Sequence, residues 1–237
     1  MTTLFVSDLH LSARRPETAG LFLRFLAGPA REAQALYILG DLFDYWAGDD
    51  DLVDPFNRRI ADALAALATP KFFLPGNRDF LIGAEFGAAS RLTFIAEPAV
   101  IDVAGTPTLL LHGDTLCTDD LDYQAARKVL RSEAWMRDLL SLPLAERKRK
   151  IEGLRAQSET AKGGKPYELM DANADTVAAA FREHGVVRMI HGHTHRQARH
   201  EHVVDGRECE RWVLGEWGAQ GNALAVDSGG CRWLPVE

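Results

Sequence analysis

Asp8-Leu9-His10, Gly40-Asp41, Gly76-Asn77-Arg78-Asp79, His112-Gly113-Asp114 and Gly192-His193-Thr194-His195 each follow a short apolar run. Among them stand Asp8, Asp41, Asn77, His10, His112, His193 and His195, oxygen and nitrogen donors of the types that hold divalent cations. No thiolate is among them. That mixture suits Mn²⁺, Mg²⁺, Fe²⁺ or Zn²⁺ and argues against copper(I) or an iron–sulfur cluster. The set is about what two adjacent ions need. Two divalent ions roughly 3.5–4 Å apart repel each other, so a shared anion between them is favourable, and Asp41 is free to be that bridge. Asp8 and His10 are two residues apart, as are His193 and His195; on extended backbone each pair would face one way and could enter one cavity. A lone Asp-x-His or Gly-Asp reads equally as a turn or a cap. Five such clusters at five strand ends do not.

The chemistry open to this set is in-line hydrolysis at phosphorus. A metal pair lowers the pKa of a water toward neutrality and holds two phosphoryl oxygens. No serine or cysteine nucleophile is required, and no Gly-rich phosphate loop of the P-loop or dinucleotide-binding kind is present.

The elements that must position these residues alternate. Residues 3–7, 35–39 and 71–74 read as buried strands, separated by helical patterns at 18–27 and 54–68, where Asp54 is a plausible N-cap and Pro55 a first helical residue. This is an α/β layered fold, whose ligands gather beyond the carboxyl ends of the strands. Strands at 99–103 and 108–111, with Gly105-Thr106-Pro107 between them, look antiparallel. From Asp120 onward the pattern is helical, with helices expected at 121–140, 144–158 and 168–184, broken at Pro143 and Gly163-Gly164. A strand at 186–190 leads into the histidine cluster, and strand-like runs follow at 198–204, 209–214 and 223–227. We read one domain over 1–237, a two-sheet core carrying a helical insertion at 121–184.

Composition fits that reading. The 237 residues are 46% hydrophobic and 26% charged, enough for one substantial core. No apolar run reaches the length of a membrane span, and the N-terminus lacks the features of a signal peptide. Cys117, Cys209 and Cys231 are expected to be free thiols in a reducing compartment. Net charge is −7, yet residues 127–165 carry eleven Lys or Arg against five acids, a local +6. That points to a local anionic partner. Nucleic acid is a poor candidate, because the chain is acidic and the basic segment lacks interleaved stacking aromatics. His191 is expected to support the core or the ligands; His184, His200 and His202 are expected to be ordinary.

The five clusters, in this order, resemble the calcineurin-like metallophosphoesterases. The resemblance implies a two-sheet β-sandwich flanked by helices. It also implies that Asp8, His10, Asp41 and His195 hold one metal, and that Asp41, Asn77, His112 and His193 hold the other. One departure matters: where many members have His after the Asn, this chain has Arg78. Arginine stays charged and cannot act as a general acid. It suits a leaving group that is already a stable anion, or the clamping of a diphosphate, so pyrophosphate cleavage is expected over alkyl-ester hydrolysis.

Longer matches, including Gly40-Asp41-Leu42-Phe43-Asp44, Gly76-Asn77-Arg78-Asp79-Phe80, His112 through Asp120 and Arg211 through Trp217, resemble one branch of that family. That branch cleaves UDP-2,3-diacylglucosamine in lipid A biosynthesis. The branch implies two Mn²⁺ per chain, with Mg²⁺ or Zn²⁺ as alternatives, and UMP and 2,3-diacylglucosamine 1-phosphate as products. Catalytic roles fall to Asp41, Arg78 and His112. Substrate contacts fall to Asn77, Arg78, His112, Asp120, Ser158, Lys162, Lys165 and His193, with Tyr123 and Arg155 added from the insertion. A diacylated, anionic substrate asks for an element both apolar and basic. Trp135, Met136, Leu139, Leu140, Leu142 and Leu144 supply the first property; Arg147-Lys148-Arg149-Lys150 and Arg155 supply the second. The insertion is expected to cover the acyl chains and rest on an anionic membrane surface, placing the protein on the cytoplasmic side of the inner membrane. No obligate protein partner is implied. The competing expectations are a phosphoesterase for a soluble nucleotide and a non-catalytic scaffold on the same fold.

Overall fold

Period-two alternation in short strands sets the layers of this molecule. In the computed structural model, which describes residues 1–164 and 166–237 and only the backbone at 162, 167 and 168, the elements run as follows. They are β1 (Thr3–Val6), α1 (Pro16–Ala27), the one-turn α2 (Pro29–Glu32), β2 (Ala35–Leu39), α3 (Pro55–Ala66), β3 (Lys71–Leu74), α4 (Ala84–Ser90), β4 (Thr93–Phe94), β5 (Ala99–Val103) and β6 (Thr106–Leu110). After these come α5 (Leu121–Leu130), α6 (Glu133–Leu140), α7 (Leu144–Lys162), α8 (Ala174–His184), β7 (Arg188–His191), β8 (Ala198–Val204), β9 (Arg207–Val213), β10 (Gly221–Asp227) and β11 (Gly230–Val236).

One sheet has the order β11-β10-β1-β2-β3-β4 and the other β5-β6-β7-β9-β8. Strands β1 to β4 run parallel to one edge of the first sheet, with antiparallel β10 and β11 on the other side, and parallel β6-β7-β9 are flanked by antiparallel β5 and β8 in the second. Leu4, Val6, Leu36, Ile38 and Phe73 face outward and bury Phe22, Phe25, Ile60, Leu64 and Phe86 of α1, α3 and α4. Phe5, Leu39 and Leu74 face inward against Leu110, Ile190 and Trp212, which makes the core between the sheets. Leu109 and Met189 face outward on the second sheet and pack on Val177 and Phe181 of α8. The expected two-sheet sandwich flanked by helices is therefore the architecture observed.

Several local expectations shift. The turn between β5 and β6 is Ala104-Gly105, both at positive φ (53° and 81°), which is the backbone a two-residue hairpin wants. Thr106 and Pro107 belong to β6 instead. The helix expected over 121–140 breaks at Arg131-Ser132, where the Ser132 side chain accepts from Trp135 N and starts a new helix. The block 121–184 also divides. Because α8 packs in the outer layer, α5 to α7 remain as the candidate lid, lining the cavity that opens at Asn77 and Arg78.

That lid is docked by charge. Arg147 is buried, pairs with Asp50 and donates to the Leu140 carbonyl at 3.1 Å. Lys148 Nζ lies 2.5 Å from Asp51 Oδ1, and Arg155 makes a two-pronged contact with Asp44 at 2.7 and 2.9 Å. The expected free basic tetrad 147–150 is thus half consumed by the acidic turn Asp49–Val53; Arg149 and Lys150 alone of the four are exposed. Trp135, Met136, Leu139 and Leu142 join the main core, while Leu140 stays 43% exposed.

Within the same turn, the Asp49 carboxylate accepts from Gly83 N, Glu85 N, Phe86 N and Trp46 Nε1 at 2.9–3.1 Å. It caps α4 from a distance, satisfying N–H groups that the helix itself leaves orphaned. Asp49→Ala should lower unfolding free energy by about 2 kcal/mol in urea titrations. Asp62→Ala, which breaks only the exposed Arg58–Asp62 pair, should stay within about 0.5 kcal/mol. Equal effects would show that the remote cap contributes nothing beyond surface charge.

Candidate dinuclear metal centre

Strands β1, β2, β3, β6 and β7 end at the five clusters, so the two sheets present their ligands to one another across the sandwich edge. The backbone there is not extended. Asp8, His10, Asp41, His193 and His195 all have positive φ, between 47° and 69°. This corrects the expectation that the paired spacings act through period-two geometry. Left-handed residues, costing roughly 1–2 kcal/mol each, turn the side chains inward. Glycines let the strand ends approach: a Cβ on Gly76 would collide with the Asp41 carboxylate, and one on Gly192 with Ser7 and Asp8.

Asp8, His10, Asp41 and His112 are each at most 1% exposed. Donor atoms of Asp8, His10 and His195 converge as one group, and those of Asp8, Asp41 and His112 as another. Asn77 Oδ1 lies 2.9 Å from His112 Nε2 and 2.8 Å from His193 Nδ1. Asp41 Oδ2 stands 3.9 Å from His10 Nδ1 and 3.8 Å from His112 Nε2, between the two groups. His10 Nδ1 is buried without a hydrogen-bond partner among the described residues, and Asp8 Oδ1 meets the His195 imidazole at 3.3 Å. Orphaned buried donors of this kind are costly unless something binds them. The oxygen and nitrogen set therefore fits divalent ions; Asp8 is common to the two converging groups, and Asp41 stands between His10 and His112.

Neighbouring side chains hold the donors in place. His112 Nδ1 is 2.9 Å from the Leu39 carbonyl, which leaves Nε2 facing the site. His195 Nδ1 is 3.1 Å from Glu216 Oε2. Asp79, fully buried, accepts from the backbone N–H groups of Asp41, Leu42 and Gly76 at 2.7–3.3 Å and pins two ligand loops together. Glu97 accepts from His112 N at 2.6 Å. Sequence reasoning assigned no role to Glu216, Asp79, Asp114 or Glu97. Asp79 and Asp114 each stand two residues after a ligand, which was a usable signal. Nothing local marks Glu97. His191 lies outside the converging groups: it is buried, 2.8 Å from the Gly192 carbonyl and 3.0 Å from the Arg211 guanidinium.

Two cavities meet at this centre. A polar chamber of about 340 Å³ lies beside His10 and His195. An apolar cavity of about 380 Å³ opens at Asn77, runs beneath the lid, and has Trp46, Phe80, Leu81, Trp135 and Ile151 in its walls. Arg78, Arg155 and Glu159 belong to both. Arg78 donates to Asp44 at 3.1 Å, faces Glu159 at 3.4 Å, and its Nε is 3.8 Å from Asp41. Asp120, Tyr123 and Ser158 line the apolar cavity as well. Asp120 also caps α5, and Tyr123 donates to Asp114 at 3.0 Å with its ring 5.5 Å from His193. The Lys162 side chain and Lys165 lie outside the described residues.

Without metal, the site is a lattice of coupled charges. Desolvation opposes charge on Asp8, yet His195, His112 and His10 hold its carboxyl well below the usual range. Desolvation likewise opposes protonated His112, but Asp41 and Asp8 lift it to about 9. His195 is raised to about 9 by Asp8 and Glu216 against the same opposition. Desolvation drives His193 down to about 3. Both raised histidines are therefore protonated at neutral pH and must lose that proton to ligate. Metal affinity should rise with pH until about 9, and binding near neutral pH should release about two protons per chain. Calorimetry in buffers of different ionisation enthalpy reads that number; release close to zero would contradict the assignment.

The calcineurin-like phosphoesterase family model matches residues 1–197. A protein of Aromatoleum aromaticum named UDP-2,3-diacylglucosamine hydrolase is 55% identical over 97% of this chain and 95% of its own length. Proteins of the same name from Edwardsiella ictaluri and Pseudomonas paraeruginosa are each 46% identical, covering 100% and 99% of this chain and 92% and 99% of their own. This chain belongs to the calcineurin-like phosphoesterases.

Proposed function

We propose that this chain hydrolyses the diphosphate of UDP-2,3-diacylglucosamine in lipid A biosynthesis, releasing UMP and 2,3-diacylglucosamine 1-phosphate. The observation that carries this reading is the apolar cavity opening at Asn77 and Arg78, directly beside the dinuclear donor set. A phosphoesterase for small soluble esters has no use for it. The near full-length similarity to proteins of that name supports the same substrate.

The residues divide the work. Asp8, His10, Asp41 and His195 would hold one ion and Asp41, Asn77, His112 and His193 the other, with Mn²⁺ the proposed metal. When bound, the ions supply a water of lowered pKa and neutralise phosphoryl charge. Arg78 presents a planar fork of donors suited to phosphate oxygens. Its permanent charge stabilises the departing phosphate as an anion, which needs no proton. Arg155 places a second guanidinium beside it, and Asp44 holds both. The lid of α5 to α7 covers the acyl chains and keeps water from the apolar cavity.

The lid also supports contact with an anionic membrane surface. Leu121, Val129, Leu140 and Leu154 are exposed on it, as are Lys128, Arg137, Arg149 and Lys150. Among the described residues no helix is long and apolar enough to cross a membrane, so the proposed association is peripheral, at the cytoplasmic face of the inner membrane.

Purified protein with Mn²⁺ should release UMP from UDP-2,3-diacylglucosamine, and a chelator should abolish this; metal-replete protein that makes no UMP would sink the reading. Arg78→Ala should lower kcat by about 100-fold while bound metal stays at wild-type level. Metal lost in step with activity would make Arg78 structural. Neutralising Lys128, Arg137, Arg149 and Lys150 together should weaken flotation with anionic liposomes without lowering the melting temperature. Unchanged flotation would remove the membrane from the proposal.

A further inference from the structure

The diphosphate of the proposed substrate is short, and it joins two halves of opposite character. Arg78 and Arg155 are the guanidinium groups common to both cavities, so the junction between the cavities is where a diphosphate belongs. The halves must then diverge from that junction. One half is a diacylated sugar, and it matches the cavity walled by Trp46, Leu81, Trp135 and Ile151. Acyl carbons in the other chamber would desolvate Arg15, Glu216 and His195 with nothing to compensate. The nucleoside half has the reverse preference: its ribose hydroxyls and base edge offer donors and acceptors that a polar chamber can satisfy.

Arg15 and Glu216 line that chamber beside His10 and His195. Arg15 precedes α1, and its guanidinium donates to Glu216 Oε1 at 3.1 Å and to the Trp217 carbonyl at 2.7 Å. These two contacts fix its orientation while leaving further N–H donors of the fork for a ligand. Its side chain is one-third exposed, at 34%, so a ligand in the chamber can reach it. Glu216 turns its other oxygen to His195, which ties this wall to the first metal group. The volume, about 340 Å³, lies in the range of small-ligand sites.

We infer that the polar chamber beside His10 and His195 is a nucleoside-monophosphate subsite, with Arg15 as its recognition residue and Glu216 holding Arg15 in place. The inference rests on the diphosphatase reading and adds a direction to it. The substrate lies across the centre with the nucleotide toward α1 and the lipid toward the lid.

The test uses the Mn²⁺-loaded full chain. Calorimetric titration of UMP reads the subsite without turnover. Inhibition by UMP and by 2,3-diacylglucosamine 1-phosphate is measured separately for wild type, Arg15→Ala and Arg15→Lys. Arg15→Ala should weaken UMP in both assays by about tenfold, the loss of a charge-assisted hydrogen bond. Arg15→Lys should weaken it less. Bound metal and inhibition by the lipid product should stay at wild-type values. Unchanged UMP binding, equal weakening of both products, or loss of metal in Arg15→Ala would overturn the subsite. Wild type that binds UMP with this Arg15 dependence yet releases none from the substrate would overturn the diphosphatase reading and leave the subsite standing.

Discussion

The site depends on keeping one negative charge in a place where protein alone would not keep it. Asp41 is buried, and desolvation and the nearby Asp8 raise its carboxyl above the usual range. Its Oδ2 nevertheless sits between histidines of two donor groups. Protonated His112 and Arg78 offset part of that cost. The surroundings are arranged to prevent the carboxylate from turning away. Arg78 N donates to Asp41 Oδ1 at 2.8 Å. Gly76 leaves no side chain in its path. Asp79 grips the backbone on either side of the gap, with burial and the Asp41 charge pushing Asp79 itself up to about 7. The floor of the site is thus made of carboxylates held close together by backbone N–H groups.

Charge also fastens the lid, and on both flanks. On α5 and at its C-terminal end, Arg127 and Arg131 reach Asp114 and Glu97, and Arg131 donates to the Gly76 carbonyl at 2.8 Å, one residue before Asn77. On α7, Arg147, Lys148 and Arg155 reach Asp50, Asp51 and Asp44. Apolar side chains from α6 and α7 fill the span between these tethers. The apolar cavity lies between these charged flanks, with Trp135 and Ile151, which also pack on the core, in its wall.

Much of this was legible in the chain. The candidate donors stood out because each follows a buried strand, and the strand ends of this sandwich bring them together. The basic and apolar character of the insertion was equally plain. What the sequence concealed was partnership across distance. Nothing near Arg147 in the chain says that Asp50 will neutralise it, so a docking contact read as a free basic face. Glu216 and Glu97 support His195 and His112 from 21 and 15 residues away. The helices escaped in a similar way: α4 has no local cap, since Asp49 supplies one from 34 residues upstream, and β11 carries Pro235 and little alternation but pairs along the full length of β10.

The left-handed backbone at Asp8, His10, Asp41, His193 and His195 has a consequence for how such a protein can change. Glycine adopts that backbone without steric penalty, whereas each side chain there costs roughly 1 kcal/mol. Glycine at any of these five would relieve that strain, but it would also remove the attraction between the buried acids and the protonated histidines. Non-glycine residues at five such positions are therefore held there by what their side chains do and not by what their backbone prefers.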